Sequence, residues 1–344
     1  MSDYLSALER EIERARIAPG TTVGTIFFGG GTPTHPQPAE LRRLFEIVGK
    51  TFQLNSLAEI SVEANPLDLT NEKLDLLQTA GVNRISLGVQ SFSPQSLKLL
   101  ERDHGPAEVK EVMNRLRTRF ENVSLDLIFG VPGQTLEDWH ETLRQAIEVR
   151  PTHISAYGLT FEKGTEFWTR RERGQLQSID EELERDQYAL AMEVLPTAGF
   201  DQYEISNYAK PGFECRHNHA YWNGDEYWAF GPGAARYVNG RRETNIRSVL
   251  GWLSRLERNE SPAADAEELD PRHRARELVY LGLRRTSGIQ RADFFARTGI
   301  ELDELFGPIL LDQIRQGLLE DNGQSVRLTL PGRFVADRVV MEFL

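Results

Sequence analysis

The first two thirds of the chain alternate short apolar segments with longer segments in which apolar residues recur at helical spacing. The apolar segments are bounded by Gly, Pro or Asn, as is typical of β-strands. The predicted strands are Thr25–Phe28, Glu59–Glu63, Arg84–Val89, Val123–Phe129 and His153–Leu159. The predicted helices cover residues 3–16, 38–52, 70–81, 107–120 and 136–149. This order predicts an α/β fold with parallel strands and right-handed crossovers, closing into a complete or incomplete barrel.

After Thr165 the alternation loosens, and the next predicted elements are a helix over 180–195 and a short strand over 202–205. A polar and acidic stretch over 259–270 is predicted to be a linker. The chain is therefore expected to form two domains. Their expected bounds are residues 1–258 and 271–344.

The second domain is predicted to be a small helical unit with one strand. Leu278, Leu281 and Leu283 form one face of its first helix, and residues 309–319 form another helix. Residues 294–299 are predicted to be a turn between helices. Residues 325–330 alternate like a strand in a wing.

The charge and composition of the chain limit the kinds of partner that it is expected to bind. The formal net charge of −12 argues against broad binding to nucleic acid or to anionic membranes, because both favour a basic surface. No apolar run approaches the roughly 20 residues that a membrane-spanning helix needs. The start at Met1 lacks a signal-peptide pattern, and the one cysteine, Cys215, rules out an internal disulfide framework. A reducing, cytoplasmic setting is therefore expected.

Polar residues recur where the predicted strands end. Gly29–Pro33 follow the first strand, Glu63–Pro66 end the second, and Gly88–Phe92 end the third, while Asp126 lies within the fourth. In a parallel α/β barrel these strand ends meet at one mouth, where ligands bind. A glycine run lets the backbone approach a ligand closely, and an acid inside an apolar strand is costly to bury without a partner.

These residue types fit a zwitterionic ligand that carries a ribose. The glycine run and Glu63 can hold an ammonium group, an acid or an amide can hold ribose hydroxyls, and Arg102 can pair with a carboxylate. Taken singly, each position is as consistent with a turn or a helix cap, and Arg102 with a solvated helix residue. Their convergence at one barrel mouth favours the ligand site.

The order and wording of these motifs resemble the radical S-adenosylmethionine (SAM) superfamily, and within it the coproporphyrinogen III oxidase-like group that comprises HemN and HemW. The resemblance covers nearly the whole chain and implies an incomplete, TIM-like (β/α) barrel of the radical SAM type. It implies that the glycine run and Glu63 hold the SAM amino group. The implied SAM-binding residues are Gly29, Gly30, Gly31, Thr32, Glu63, Gln90, Arg102 and Asp126.

The same resemblance implies that Gln90 and Asp126 bind the ribose of SAM and that Arg102 binds its carboxylate. It also implies a 4Fe–4S cluster held by three closely spaced cysteines, which Cys215 cannot replace. The cluster is therefore expected only in a complete form that carries these cysteines. Two explanations are open. In the first, the start codon is mis-set or the chain is truncated; in the second, this is a genuinely shortened member of the family. We favour the first, which predicts codons for a cysteine-rich strand upstream of Met1 and an unpaired edge on Thr25–Phe28.

A second segment, Cys215–Trp222, combines potential iron ligands with aromatic rings. His217 and His219 are potential ligands, and Tyr221 and Trp222 could stack on a flat macrocycle, although an isolated His near aromatic rings is more often a packing residue. The His-Asn-x-x-Tyr-Trp pattern resembles that of the HemW group, and this resemblance implies heme binding. The implied heme-binding residues are His217, Asn218, Tyr221 and Trp222. His217 is the best candidate for the iron ligand, and Cys215 and His219 stay open.

The resemblance implies a heme chaperone that binds heme and transfers it to an acceptor hemoprotein. Two alternatives stay open. One is an oxygen-independent coproporphyrinogen III oxidase, which decarboxylates porphyrinogen propionates oxidatively, and the other is a relative that binds neither ligand. No catalytic residue is assigned. The tail resembles the winged-helix-like C-terminal domain of the family, and the absence of a basic stripe on 309–319 argues against DNA binding.

Overall fold

The computed structural model of the protein describes residues 1–18 and 20–344. These residues divide into two compact units. The first unit consists of Met1–Ile26, Pro36–Glu59 and Cys215–Leu344, and the second unit consists of Phe27–His35 and Ile60–Glu214. The domain boundary placed at 259–270 from the sequence stays a prediction.

Seven strands form one sheet in the order β1-β2-β3-β4-β5-β7-β6. They are β1 (Thr22–Phe28), β2 (Gln53–Ala64), β3 (Arg84–Gln90), β4 (Asn122–Phe129), β5 (His153–Gly158), β6 (Asp201–Gln202) and β7 (Asn207–Ala209). Strands β2 to β5 pair in parallel, whereas β7 pairs antiparallel with both β5 and β6. The predicted α/β class and incomplete barrel are confirmed, and β1 lies at the sheet edge as expected.

Helices precede and connect these strands. They are α1 (Ser2–Arg14), α2 (Pro38–Thr51), α3 (Asn71–Thr79), α4 (Pro94–Leu99), α5 (Pro106–Arg117), α6 (Leu136–Glu148), α7 (Glu166–Glu172) and α8 (Glu181–Thr197), with a 3₁₀ turn at Pro66–Asp68. Side-chain caps fix where two of them begin. Thr70 accepts a hydrogen bond from the Lys73 amide at 3.3 Å, and Thr135 accepts one from the Asp138 amide at 3.1 Å.

The chain after α8 contains short helices and two small antiparallel sheets. The helices are α9 (Arg216–Trp222), α10 (Val249–Glu257), α11 (Pro271–Gly282), α12 (Arg291–Thr298), α13 (Leu302–Arg315), α14 (Leu330–Phe334) and α15 (Ala336–Met341). The strands are β8 (Ala235–Val238), β9 (Arg241–Asn245), β10 (Ala263–Glu268), β11 (Ile289–Gln290), β12 (Leu319–Asp321) and β13 (Ser325–Leu328). The predicted wing strand is β13, which pairs with β11 and β12.

Two local predictions were wrong, and a third segment contains a strand that was not predicted. Within 202–205 the chain turns, because the Glu204 carboxylate accepts a hydrogen bond from the Ser206 amide at 3.0 Å. The expected linker over 259–270 contains β10, whose polar composition suits an exposed strand paired with β9. The expected turn over 294–299 is mostly helix, which ends only when Gly299 adopts a left-handed conformation with φ of 69°.

The first unit is held together around a buried carboxylate. Leu5, Leu8 and Ile12 of α1 pack in one apolar cluster with Trp252 of α10. Glu11 lies beside them and accepts hydrogen bonds from the Gly231 amide at 2.9 Å, Asn245 Nδ2 at 2.6 Å and Trp252 Nε1 at 3.0 Å. Burial raises the pKa of Glu11, and these donors oppose the rise. Among the described residues, no helix has the length and apolarity needed to cross a membrane.

Candidate functional site

The glycine run after β1 forms a tight turn that is tied to the end of β2. Gly30 and Gly31 have φ of 75° and 70°, a conformation that favours glycine. A Cβ at Gly29 would lie 2.6 Å from the Phe27 ring and 3.1 Å from Glu63 Oε1. The Gly30 amide donates to Glu63 Oε2 at 3.0 Å. The turn is thus pinned by a carboxylate, and only at Gly30 and Gly31 would an added Cβ meet nothing within 4 Å.

Glu63 and Asp126 lie on the same face of the sheet. In the strand register Glu63 is opposite Ser86, Ser86 is opposite Ser124, and Asp126 follows Ser124 two residues later. Burial raises the Glu63 pKa, and the negative charge of Asp126 raises it further. The Gly30 amide and the Arg84 guanidinium oppose this rise. The structure therefore brings together two carboxylates that the sequence placed on separate strands.

Asp126 is surrounded by hydroxyl donors. Ser86 Oγ donates to it at 3.1 Å and 3.0 Å from the two carboxylate oxygens, and Ser124 Oγ donates at 3.4 Å. Burial raises the Asp126 pKa, while hydrogen bonds from Ser155, Ser86 and Ser124 and the charge of Arg84 lower it. A half-buried carboxylate with several donors of this kind is suited to hold hydroxyl groups of a ligand.

These hydroxyl residues were missed in the sequence. In the central parts of strands β2 to β5, apolar residues alternate with polar ones, and the polar face is where the carboxylates lie. Its members are Ser61, Glu63, Arg84, Ser86, Ser124, Asp126, His153 and Ser155. The sequence does contain a signal for these residues, because polar and apolar residues alternate with a period of two in each strand. The segments are Ile-Ser-Val-Glu, Arg-Ile-Ser-Leu, Val-Ser-Leu-Asp and His-Ile-Ser-Ala.

Gln90 reaches the same face, and Arg102 does not contact it. Gln90 has φ of 65° at an irregularity in the β3–β4 pairing, and its Nε2 lies 3.2 Å from where a Cβ of Gly88 would be. Gly88 is opposite Asp126 in the register, so the Gln90 amide lies over that row. Arg102 is exposed after α4, and within residues 1–18 and 20–344 no hydrogen bond or ion pair joins its side chain to these groups.

The second candidate segment is helix α9 of the first unit. Its first amides donate to one carboxylate, with Arg216 N at 3.1 Å from Glu59 Oε2 and His217 N at 3.1 Å from Glu59 Oε1. The buried Cys215 thiol also donates to Glu59 Oε1 at 3.6 Å. A carboxylate at this end complements the helix dipole and satisfies amides that have no partner within the helix. Glu59 was predicted only as the start of a strand.

Both ring nitrogens of His217 are held. Nδ1 lies 2.8 Å from Thr25 Oγ1, and Nε2 lies 2.9 Å from the Tyr221 hydroxyl one helical turn later. Tyr221 packs edge-on against His217, with ring centroids 4.8 Å apart, and against Tyr227 at 4.7 Å. The imidazole is therefore fixed in orientation by a strand on one side and by its own helix on the other.

Trp222 ends the helix beside a cation. The Arg284 guanidinium lies 4.9 Å from the Trp222 ring centroid. Trp222 Nε1 is buried and has no hydrogen-bond partner among the residues that the structure describes. Asn218 and His219 are half-buried on the same helix.

The residues fit SAM and do not fit the family's cluster. The open glycine turn, Glu63 and the donor-rich Asp126 offer groups for an ammonium and for ribose hydroxyls. A 4Fe–4S cluster takes its ligands from several cysteine thiolates, and this sequence has one cysteine, which is buried against Glu59. In the described part of the chain no group of three or more His, Cys, Asp or Glu side chains could hold a metal ion.

The partly parallel α/β half-barrel of this chain is of the radical SAM type. A model of the radical SAM superfamily matches residues 2–146, and a model of the HemN C-terminal domain matches residues 269–335. The chain is 37% identical to the heme chaperone HemW of Bacillus subtilis (strain 168), covering 100% of this chain and 92% of that protein. It is 35% identical to HemW of Escherichia coli (strain K12), covering 99% and 90%.

The chain therefore belongs to the HemW family of radical SAM proteins. A relative from Danio rerio, radical S-adenosyl methionine domain-containing protein 1, mitochondrial, is 31% identical and covers 98% of this chain and 79% of its own length. The solved structure of Escherichia coli coproporphyrinogen III oxidase (HemN) superposes with a TM-score of 0.87, covering 99% of this chain and 82% of that chain. At 23% identity this likeness shows the fold alone.

Proposed function

We propose that this chain is a heme chaperone, which binds heme at helix α9 and transfers it to an acceptor hemoprotein. The observation that carries the proposal is the match to HemW proteins along the whole chain, together with the His-Asn-x-x-Tyr-Trp segment on one anchored helix. The reducing cytoplasm is the proposed setting, because the sequence uses one cysteine and no disulfide framework.

His217 is the proposed heme ligand, and its hydrogen bonds favour Nε2 as the nitrogen that would bind the iron. When Nδ1–H donates to Thr25 Oγ1, the lone pair of Nε2 points at the Tyr221 hydroxyl. Heme iron would take that lone pair in exchange for the tyrosine hydrogen bond. Thr25 would then act as the outer partner that fixes the imidazole, as is usual for histidines that bind metal.

Trp222 offers a second contact for the cargo. Its buried Nε1–H has no partner in the described residues, and leaving such a donor unmet costs about 1–3 kcal/mol. A porphyrin propionate is an acceptor that would satisfy it, and Arg284 beside the ring adds a positive charge for the same carboxylate. These groups support an anionic, flat ligand at α9.

SAM is the proposed second ligand, held in the second unit. Its ammonium group would lie at the glycine turn and Glu63, and its ribose at Gln90 and Asp126. Arg102 is proposed for the SAM carboxylate, by resemblance to the family. SAM bound in this way supplies a reactive sulfonium, and this sequence lacks the thiolates that a 4Fe–4S cluster needs.

Heme titration tests the chaperone proposal. The purified chain should shift the Soret band of heme, and His217→Ala should weaken binding at least tenfold, whereas the exposed His140→Ala should leave it unchanged. Tyr221→Phe should retain binding, because iron replaces that hydrogen bond. Absence of a Soret shift at micromolar heme would overturn the proposal. Turnover of coproporphyrinogen III with SAM and a reductant would replace it with the oxidase alternative.

A further inference from the structure

Three buried side chains connect Asp126 to the segment after α8 through a line of hydrogen bonds. The Tyr203 hydroxyl lies 2.8 Å from His153 Nε2, and His153 Nδ1 lies 2.7 Å from Ser124 Oγ. Ser124 Oγ is 3.4 Å from Asp126 Oδ1. All four residues belong to the second unit. The proposed sites do not use Tyr203.

An ionised carboxylate sets the direction of every bond in this line. In its ionised form Asp126 accepts only, so Ser124 then donates its hydroxyl proton to it. Ser124 Oγ then accepts from His153, which requires a proton on Nδ1. His153 Nε2 is left as an acceptor, and the Tyr203 hydroxyl donates to it. The structure therefore assigns the Nδ1–H form to His153, which is the less common neutral tautomer of free histidine.

The environment of His153 disfavours the protonated, charged imidazole. It is fully buried, and both its burial and the Arg84 guanidinium hold its pKa well below the usual range. The two ring nitrogens already have partners of fixed polarity, and the Tyr203 ring packs beside the imidazole with centroids 5.6 Å apart. The ring is thus neutral and fixed in place.

We propose that His153 and Tyr203 are positioning residues for Asp126, which turn Ser124 into an obligate donor to that carboxylate. The proposal rests on the proposed SAM site, where Asp126 holds the ribose. With Ser124 and Ser86 both donating, the Asp126 carboxylate is held in one orientation. If the line ran in the opposite direction, Ser124 would donate to His153 and Asp126 would lose one of its donors.

The tautomer is measured first, on the ligand-free chain. In a nitrogen-15 correlation spectrum of the histidine side chains, His153 should show a protonated Nδ1 and an unprotonated Nε2. The signal is assigned by its loss in the His153→Asn variant. The asparagine side chain keeps a hydrogen-bond donor near the position of Nδ1. A protonated Nε2, or a charged ring at neutral pH, would overturn the proposal.

The effect on the ligand site is measured by calorimetric titration with SAM. Tyr203→Phe and Ser124→Ala should each weaken SAM binding by about two- to tenfold, the range expected for one hydrogen bond. Tyr188→Phe is the matched control. It is a buried tyrosine of the same unit that donates to the Ile205 carbonyl at 2.8 Å and lies outside the line, so affinity should stay unchanged.

A double-mutant cycle separates a line of hydrogen bonds from general packing. If Tyr203 acts through Ser124, then Tyr203→Phe should have no further effect in the Ser124→Ala background. Additive losses would overturn the proposal, because independent structural damage adds. Failure of the native chain to bind SAM would instead overturn the proposed SAM site, and it would not alter the tautomer spectrum.

Discussion

Glu59→Gln is the sharpest test of how the proposed heme helix is held. Both carboxylate oxygens of Glu59 accept from the start of α9, and glutamine keeps only one acceptor oxygen. One backbone amide would therefore lose its partner, at a cost of about 1–3 kcal/mol. Loss of the negative charge at the helix N-terminus costs about 0.3–1 kcal/mol more. Helix α9 should become less stable by about 1.3–4 kcal/mol in total.

Amide hydrogen exchange measures this loss directly. The His219 and Asn223 amides, which donate to Cys215 and His219 carbonyls at 3.2 Å and 2.8 Å, should exchange from about tenfold to several hundredfold faster. Heme affinity should fall in parallel once the ordered helix is no longer fully populated. Glu13→Gln, an exposed change in the same unit, is the control. Unchanged exchange in α9 of Glu59→Gln would refute the reasoning.

Three further outcomes follow from the same contacts. Glu11→Gln should lower the free energy of unfolding by about 1–3 kcal/mol in urea titrations, and because burial raises the Glu11 pKa, this deficit should shrink as pH rises through the folded pKa. An equal deficit at all pH values would contradict it. Gly30→Ala should cost about 1–2 kcal/mol of strain and also weaken SAM binding, whereas Gly133→Ala, with φ of 80°, should cost stability only. SAM affinity should fall as pH drops through the raised pKa of Glu63, and Glu63→Gln should flatten that profile.

The sequence was sufficient for the fold because its signals are local. The apolar runs of β3 to β5 and the Thr70 cap of α3 depend on near neighbours, and their bounds agree closely with the structure. The turn at Glu204 and the exposed strand β10 were missed, because each depends on a specific partner elsewhere. A polar strand that pairs with another polar strand has no alternating apolar pattern from which it could be predicted.

The site was predicted in part for a related reason. Glycine turns and acids at strand ends can be recognised in the sequence itself, so Gly30, Glu63 and Asp126 were predicted as site residues, and that assignment stays a prediction. The residues beside them were not predicted, because His153 becomes a neighbour of Ser124 and Asp126 only through the register of β4 and β5. Only the alternation of polar residues along each strand indicated that a shared polar face existed.

Strand β2 shows how few residues can organise both candidate ligand sites. Glu59 belongs to the first unit and Glu63 to the second. Each performs the same task in its own unit: Glu59 accepts from the first amides of α9, and Glu63 accepts from the Gly30 amide. Backbone amides near a ligand need an acceptor when no ligand is bound, and a carboxylate supplies it. At Glu63 the same negative charge would also meet the ammonium group of SAM. Glutamine in either position would keep the size of the side chain and lose that charge. The loss should therefore appear as weaker heme binding for Glu59 and weaker SAM binding for Glu63, each without the other.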